Sequence, residues 1–248
     1  MTTKTEMTTA NNTAIAMPSY VSKSCRGSEN VDTSDLQIPR IGIVQALSPE
    51  RKKNDPAYIE GAEEGHMFNS VTRELFKDPL LVIPVYYRKE FFLWRVRAQG
   101  GGFRGVYQTY GDAQAAQLEV QDKTEINDTA QQFCLVSSDN GTTWSEAVVS
   151  MTSSNGGVSK RWNSDIKLRG ADRFANVYQL SVVEKSNDKG SFFIFKENWV
   201  RWATEPEYRS GEQSYEAIRQ GARDVSRDYD NVPVTTATAD GEAGNDLF

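Results

Sequence analysis

The sequence predicts a mainly β protein: a β-barrel, OB-fold-like, with one helix between strands, a C-terminal amphipathic helix and disordered tails. Three observations lead there. Residues 80–97, LLVIPVYYRKEFFLWRVR, form the most apolar and aromatic run of the chain, in residue types that suit a pleated, half-buried surface. Two later pairs of β-prone runs are each joined by a turn-forming segment, and a helical pattern stands between the pairs. An OB barrel places a helix between its third and fourth strands and binds oligonucleotides on a sheet face flanked by loops. A β-sandwich or another small barrel would give much the same string.

Residues 1–34 are rich in Thr, Ser and Asn, with too little apolar side chain to offset the entropy of ordering, so disorder is expected. A barrel domain is expected over 35–205. Its first ordered segment is 36–47, LQIPRIGIVQAL, with Pro39 favouring an extended start. Residues 48–65 read as a loop or short helix, and 68–76 as a short strand and turn.

In the central run Pro84 argues against a helix, and one or two strands are expected. Taken as extended from Tyr87, alternate residues put Tyr87, Lys89, Phe91, Leu93, Arg95 and Arg97 on one face. The other face carries Tyr86, Arg88, Phe92, Trp94 and Val96 and could be core. A stripe of aromatics and cations suits single-stranded nucleic acid, because bases stack on rings while Lys and Arg follow the phosphates. The same residues would equally serve as core and a charged, aggregation-resistant edge.

After Gly100-Gly101-Gly102 comes FRGVYQTY, a third strand. The glycine triplet lacks both the Gly-Lys-Ser/Thr ending and the GxGxxG spacing of phosphate loops, and reads as a turn. Residues 112–118 read as a short helix with Asp112 as its N-cap. Runs at 132–138 and 143–151 flank Asn140-Gly141, a strong hairpin signal. A helix over 157–168 places Val158, Trp162 and Ile166 at a spacing of four, with Lys160, Arg161, Lys167 and Arg169 around it. Strands 177–185 and 192–202 follow, joined by Ser186-Asn187-Asp188-Lys189-Gly190. In an OB register that loop, with Lys185 and Lys189, lies at the binding cleft. Over 206–230, Ser210 and Gln213 make a capping box and Tyr215, Ile218, Ala222 and Val225 an apolar stripe.

The net charge of −6 opposes nucleic-acid binding at first sight. From Asp228 onward, however, there are five acids and no base; without them 29 acids face 28 bases, a body of net charge about −1. Charges beyond about 10 Å are screened at moderate salt, so local basic clusters can act. Two cysteines, Cys25 and Cys134, and one histidine, His66, make neither a disulfide framework nor a zinc cluster. Glu184 and Lys185 are adjacent and so lack the Glu-x-Lys spacing of many metal-dependent nucleases. No cofactor and no enzyme activity is expected. No run approaches the roughly 18 apolar residues of a membrane span, and the start of the chain lacks a signal pattern, so a soluble intracellular protein is expected.

Residues 231–248 form an acidic tail ending Asp246-Leu247-Phe248. The ending resembles the acidic, phenylalanine-terminated tips of bacterial and phage single-stranded DNA-binding proteins, which implies recruitment of replication or recombination partners through those three residues. IPRIGIVQALSPE, FNSVTRELF, VIPVYYRKEFFLWR, VSKRWNSDI and YQLSVVEKSNDKGSFFIF together resemble a tailed-phage protein family whose members are described as uncharacterised or as single-stranded DNA-binding proteins. The likeness spans about residues 36–202 and implies phage replication or recombination in the cytoplasm of an infected bacterium. On this basis the expected ligand is single-stranded DNA. Tyr87, Phe91, Trp94 and Trp162 are expected to stack bases, although the spacing of Trp162 also fits core packing. Lys89, Arg95, Arg97, Arg104, Lys160, Arg161, Lys185 and Lys189 are expected on phosphates. A homo-oligomer is allowed. The rival reading is a phage protein-interaction or virion-associated protein that binds no nucleic acid.

Overall fold

Val82, Ile83, Val85, Tyr86, Tyr87, Phe91 and Phe92 crowd one stretch with residues that favour extended backbone, and they form a single 16-residue strand, β4 (Leu80–Arg95). The structure, a computed structural model, describes residues 26–31, 36–188 and 190–221 and, at residue 97, the backbone alone. The chain divides into two compact units, Met1–Asp32 and Thr33–Phe248. Of the first, the described part is a turn in which the Val31 N–H donates to the Ser28 carbonyl (3.1 Å). The expected disorder over 1–34 and the tail over 231–248 otherwise lie outside the described residues.

The second unit holds two sheets. A small antiparallel one has the order β1 (Ile41–Ile43), β2 (Met67–Asn69), β3 (Leu75–Phe76). The large one adds β5 (Phe103–Tyr107), β6 (Thr124–Ser137), β7 (Ser145–Thr152), β8 (Asn176–Asn187) and β9 (Gly190–Trp202) to β4, in the order β7-β6-β4-β8-β9 with β5 also on β4. All its ladders are antiparallel. Among the described residues no ladder joins β7 to β9, so the sheet is open and the expected closed barrel is not formed. The fold class with one helix between strands is corrected to two, the second being the short helix read over 112–118. α1 (Tyr110–Glu119) separates β5 from β6, and α2 (Gly156–Leu168) separates β7 from β8.

Pro84 sets the register of β4. It has no N–H to give to a central ladder, and the β4–β6 pairing slips between Pro84 and Tyr86 while the β4–β8 pairing, Leu80 to Val82, stops short of it. Beyond the slip, Tyr87, Lys89, Phe91, Leu93 and Arg95 share one face of the sheet, and Tyr86, Arg88, Glu90, Phe92 and Trp94 share the other.

Both faces are covered at the Leu80 end. On the first, Val158, Trp162 and Ile166 of α2 meet Leu80, Val82, Cys134, Val136, Tyr178 and Leu180. On the second, Tyr208, Tyr215 and Ile218 of α3 (Glu205–Arg219), with Phe174, meet Ile83, Val85, Leu135 and Tyr86. Gly211 lets α3 approach, since a Cβ there would lie 2.5 Å from Phe174 Cβ. The capping box is formed by Thr204 and Glu207 rather than Ser210 and Gln213, so the helix begins earlier than expected. Likewise Thr109, not Asp112, caps α1; its side chain accepts from the Asp112 N–H (3.1 Å).

Two side-chain amides, one from the segment after β1 and one from the segment after β7, meet the edge strand β9. Gln45 Nε2 donates to the Phe193 carbonyl (2.8 Å) while its Oε1 accepts from the Phe193 N–H (2.9 Å). Asn155 Oδ1 accepts from the Phe195 N–H (2.8 Å).

Candidate nucleic-acid interface

The Arg95 half of β4 is covered differently on its two faces. On the first face α1 lies across it, with Tyr110 edge-on to Phe91 (5.7 Å between centroids) and Ala113 buried. On the second face there is a cleft of about 590 Å³. Its aromatic wall is Phe92 and Trp94, with Phe103 of β5 edge-on to both at 6.2 and 5.4 Å. Arg40 and Glu125 are its charged walls, and Arg95, whose side chain is on the first face, borders it at the strand end with Gly101 and Gly102. The Gly100 to Gly102 turn runs through three successive positive φ angles, 92°, 66° and 120°, which glycine alone adopts without strain.

A row of polar side chains from β6 and β7 makes the floor. In register, Asn127 faces Phe92, Thr129 faces Glu90 and Thr152 faces Thr129. Beside them Glu90, 1% exposed, is held by Arg88 (3.0 Å) and by Gln131 Nε2 (3.1 Å), and Ser150 Oγ donates to Gln131 Oε1 (2.5 Å). A buried carboxylate needs such partners, and these make the inner end of the floor rigid. Such an arrangement can stack a flat ring on the aromatics, meet its polar edge at the floor and hold an anion at the arginines.

A model of the family described as Pam3 phage gp34-like protein matches residues 8–224. The chain belongs to that family. It is therefore a bacteriophage protein, as the sequence resemblance implied. No curated protein and no solved structure matches the chain. In this gp34-like protein no described helix is long and apolar enough to cross a membrane, and among the described residues no three His, Cys, Asp or Glu side chains gather as a metal-binding group. Burial pushes the Cys134 thiol up to about 12.

The residues expected on nucleic acid are dispersed. Tyr87, Lys89, Phe91 and Arg95 share the first face of β4, whereas Trp94 stands on the second. Tyr87 packs against the α2 core, with the Arg173 guanidinium 5.8 Å from its ring. Lys89 is paired with Asp128 (2.6 Å). Arg95 and Arg104 converge on Asp122, Arg95 with two bonds of 3.0 and 2.8 Å. The Arg95 hydrogen bonds hold the Asp122 carboxyl below its ordinary range. Lys160 and Arg161 are exposed on α2, and Arg161 is bonded twice to Glu197 (2.6 and 2.8 Å).

Trp162 needs a correction. It is 0% exposed, with its ring 5.5 Å from Tyr178 in the core, so no base can reach it. Lys185 lies at the far end of the sheet: with Leu80 opposite Leu180, Arg95 is fifteen residues along β4 and Lys185 five residues along β8 in the opposite direction. The Arg97 side chain, Lys189, Asp246, Leu247 and Phe248 lie outside the described residues.

Reading the sequence alone missed Arg40, Asn127, Thr129, Ser150 and Thr152 and left Phe92 as a core candidate. Arg40 is 52 residues from Phe92 in the chain and reaches the cleft because it bridges to Val148 of β7. The one sequence signal was TEINDTAQ at 124–131, a polar run that leads into the apolar FCLV and continues a strand rather than a loop.

Proposed function

We propose that this phage protein is a non-enzymatic, sequence-nonspecific single-stranded DNA-binding protein acting in phage DNA replication or recombination in the host cytoplasm. One observation carries the proposal: Phe92 and Trp94, with Phe103 edge-on to both, share a single cleft with Arg40 and with Arg95 at its border, Glu125 being the one acid among its lining residues. Aromatic platforms worth about 1–3 kcal/mol per stacked base, beside cations that track phosphates, are what single-strand binders use. An OB-like use of the sheet is part of this reading: an antiparallel face takes the strand, with the loops at its end alongside. Recruitment of replication or recombination proteins by Asp246, Leu247 and Phe248 is the second part.

The test is a salt series with labelled single-stranded and duplex oligonucleotides, followed by tryptophan fluorescence. The expected outcome is preference for single strands, quenching on binding, and a fall of log affinity with log salt of about 0.7 per phosphate contact. Absence of binding to either form at low salt would refute the proposal. The second reading, a protein-interaction role, is favoured by Val200 and Trp202, exposed by 44% and 49% on edge strand β9, and would then replace it.

A further inference from the structure

A cleft that only followed the phosphate chain would need cations and ring faces, but this one also has a polar floor whose hydrogen-bonding groups are not used up. Glu90, Gln131 and Ser150 are committed to each other and to Arg88. Thr129 is not: its hydroxyl is buried, the residue is 2% exposed, and Oγ1 has no hydrogen-bond partner. Buried polar atoms are rarely left so. Its neighbour two residues along the same strand, Asn127, lines the cleft directly opposite Phe92. An amide and a hydroxyl each donate and accept, so the pair offers two hydrogen-bonding groups, two residues apart on one face of β6, to the polar edge of a heterocyclic base. Trp94 follows Phe92 on the same face and supplies an aromatic wall beside that edge. A volume of about 590 Å³ lies within the usual range of small-molecule sites, roughly 300–1,000 Å³, and exceeds what one ring requires.

We infer that the cleft admits one base of the bound strand, flat against Trp94 and with its polar edge on Asn127 and Thr129, so that one position of the binding site discriminates between bases. The inference rests on the single-strand reading above and deepens it. Most of the site stacks any base; this position hydrogen-bonds, and hydrogen bonding distinguishes. The backbone phosphate of the same nucleotide falls to Arg40, which lines the same cleft.

The experiment uses the full chain and its Thr129→Val and Asn127→Ala variants, with folding checked by thermal melts. Each is titrated at one salt concentration with single-stranded homopolymers of dA, dC and dT of equal length, and separately with the free monophosphates dAMP, dCMP and dTMP. The expected result is a spread among homopolymers of about tenfold, the lower part of what base-edge contacts give. Thr129→Val, which keeps the shape and removes the hydroxyl, and Asn127→Ala should each narrow that spread while leaving the slope against salt as it was, because neither touches a phosphate. Equal affinity for all three homopolymers, or a spread that persists in both variants, overturns the inference and leaves single-strand binding standing. Monophosphate binding that both variants weaken, without any oligonucleotide binding, keeps the base pocket and removes the single-strand reading. Failure of every ligand removes both.

Discussion

Arg201 and Glu207 face each other in a doubly bonded pair, 2.7 and 2.8 Å, that fastens the end of β9 to the first turn of α3. Glu207 Oε2 also accepts from the Thr204 N–H and hydroxyl (2.8 and 2.9 Å), so one carboxylate caps the helix and anchors it. The Arg201 hydrogen bonds, working against burial, hold that carboxyl down from 4.5 to about 2. Because the folded value is depressed, the stabilisation is fully present above 4.5 and fades as pH falls toward about 2. Glu207→Gln is expected to lower stability at neutral pH by about 1–3 kcal/mol and to flatten the decline of Tm across that acid window. Melts at stepped pH check it; an unchanged acid slope would show that the pair contributes nothing.

Gly211→Ala sets two effects against each other. Helix propensity favours alanine by about 1 kcal/mol, but the added methyl would sit 2.5 Å from Phe174 Cβ. Overpacking of this kind costs about 1–3 kcal/mol, and backbone has to move to relieve it. Denaturant titration should find the variant less stable than the parent, and a gain would mean that α3 shifts freely on the sheet.

The two tryptophans separate packing from binding. Trp162→Ala should cost about 3–5 kcal/mol, as for other large core truncations. Trp94→Phe, by contrast, should fold normally and lose most of the fluorescence quenching on addition of single strands. The conservative Trp162→Phe protein should keep it, since Trp162 is sealed in the core.

Asp122 is bonded to Arg95 and Arg104 together and offsets one of their two positive charges. Asp122→Asn releases both for phosphate. Affinity for single strands at low salt should rise, and the salt dependence should steepen by about 0.7 for each added contact. An identical slope in parent and variant would place the strand elsewhere.

Local pattern revealed some of this architecture and not the rest, for identifiable reasons. The helix holding Val158, Trp162 and Ile166 was legible because one apolar stripe at a spacing of four faces one core. The β8–β9 hairpin was legible from two β-prone runs around a polar turn. The first half of β6 was not, because Asp128 faces Lys89 and Thr129 faces the polar cleft, so neither side of it shows an apolar pattern. The starts of α1 and α3 were misplaced where a second residue fitted the capping pattern equally well. In β4 the alternation from Tyr87 to Arg95 matches the two faces of the strand, which ends before Val96 and Arg97. Which side is left half-covered depends on where α1, α2 and α3 pack, and no local pattern carries that.

A sheet that does not close leaves the outer N–H groups of its last strand available to any passing chain. On β9 the two amides of Phe193 and Phe195 are taken by Gln45 and Asn155, side chains from distant loops that imitate a neighbouring strand. Strand addition from another molecule is thereby opposed at Phe193 and Phe195, a safeguard against edge-to-edge aggregation.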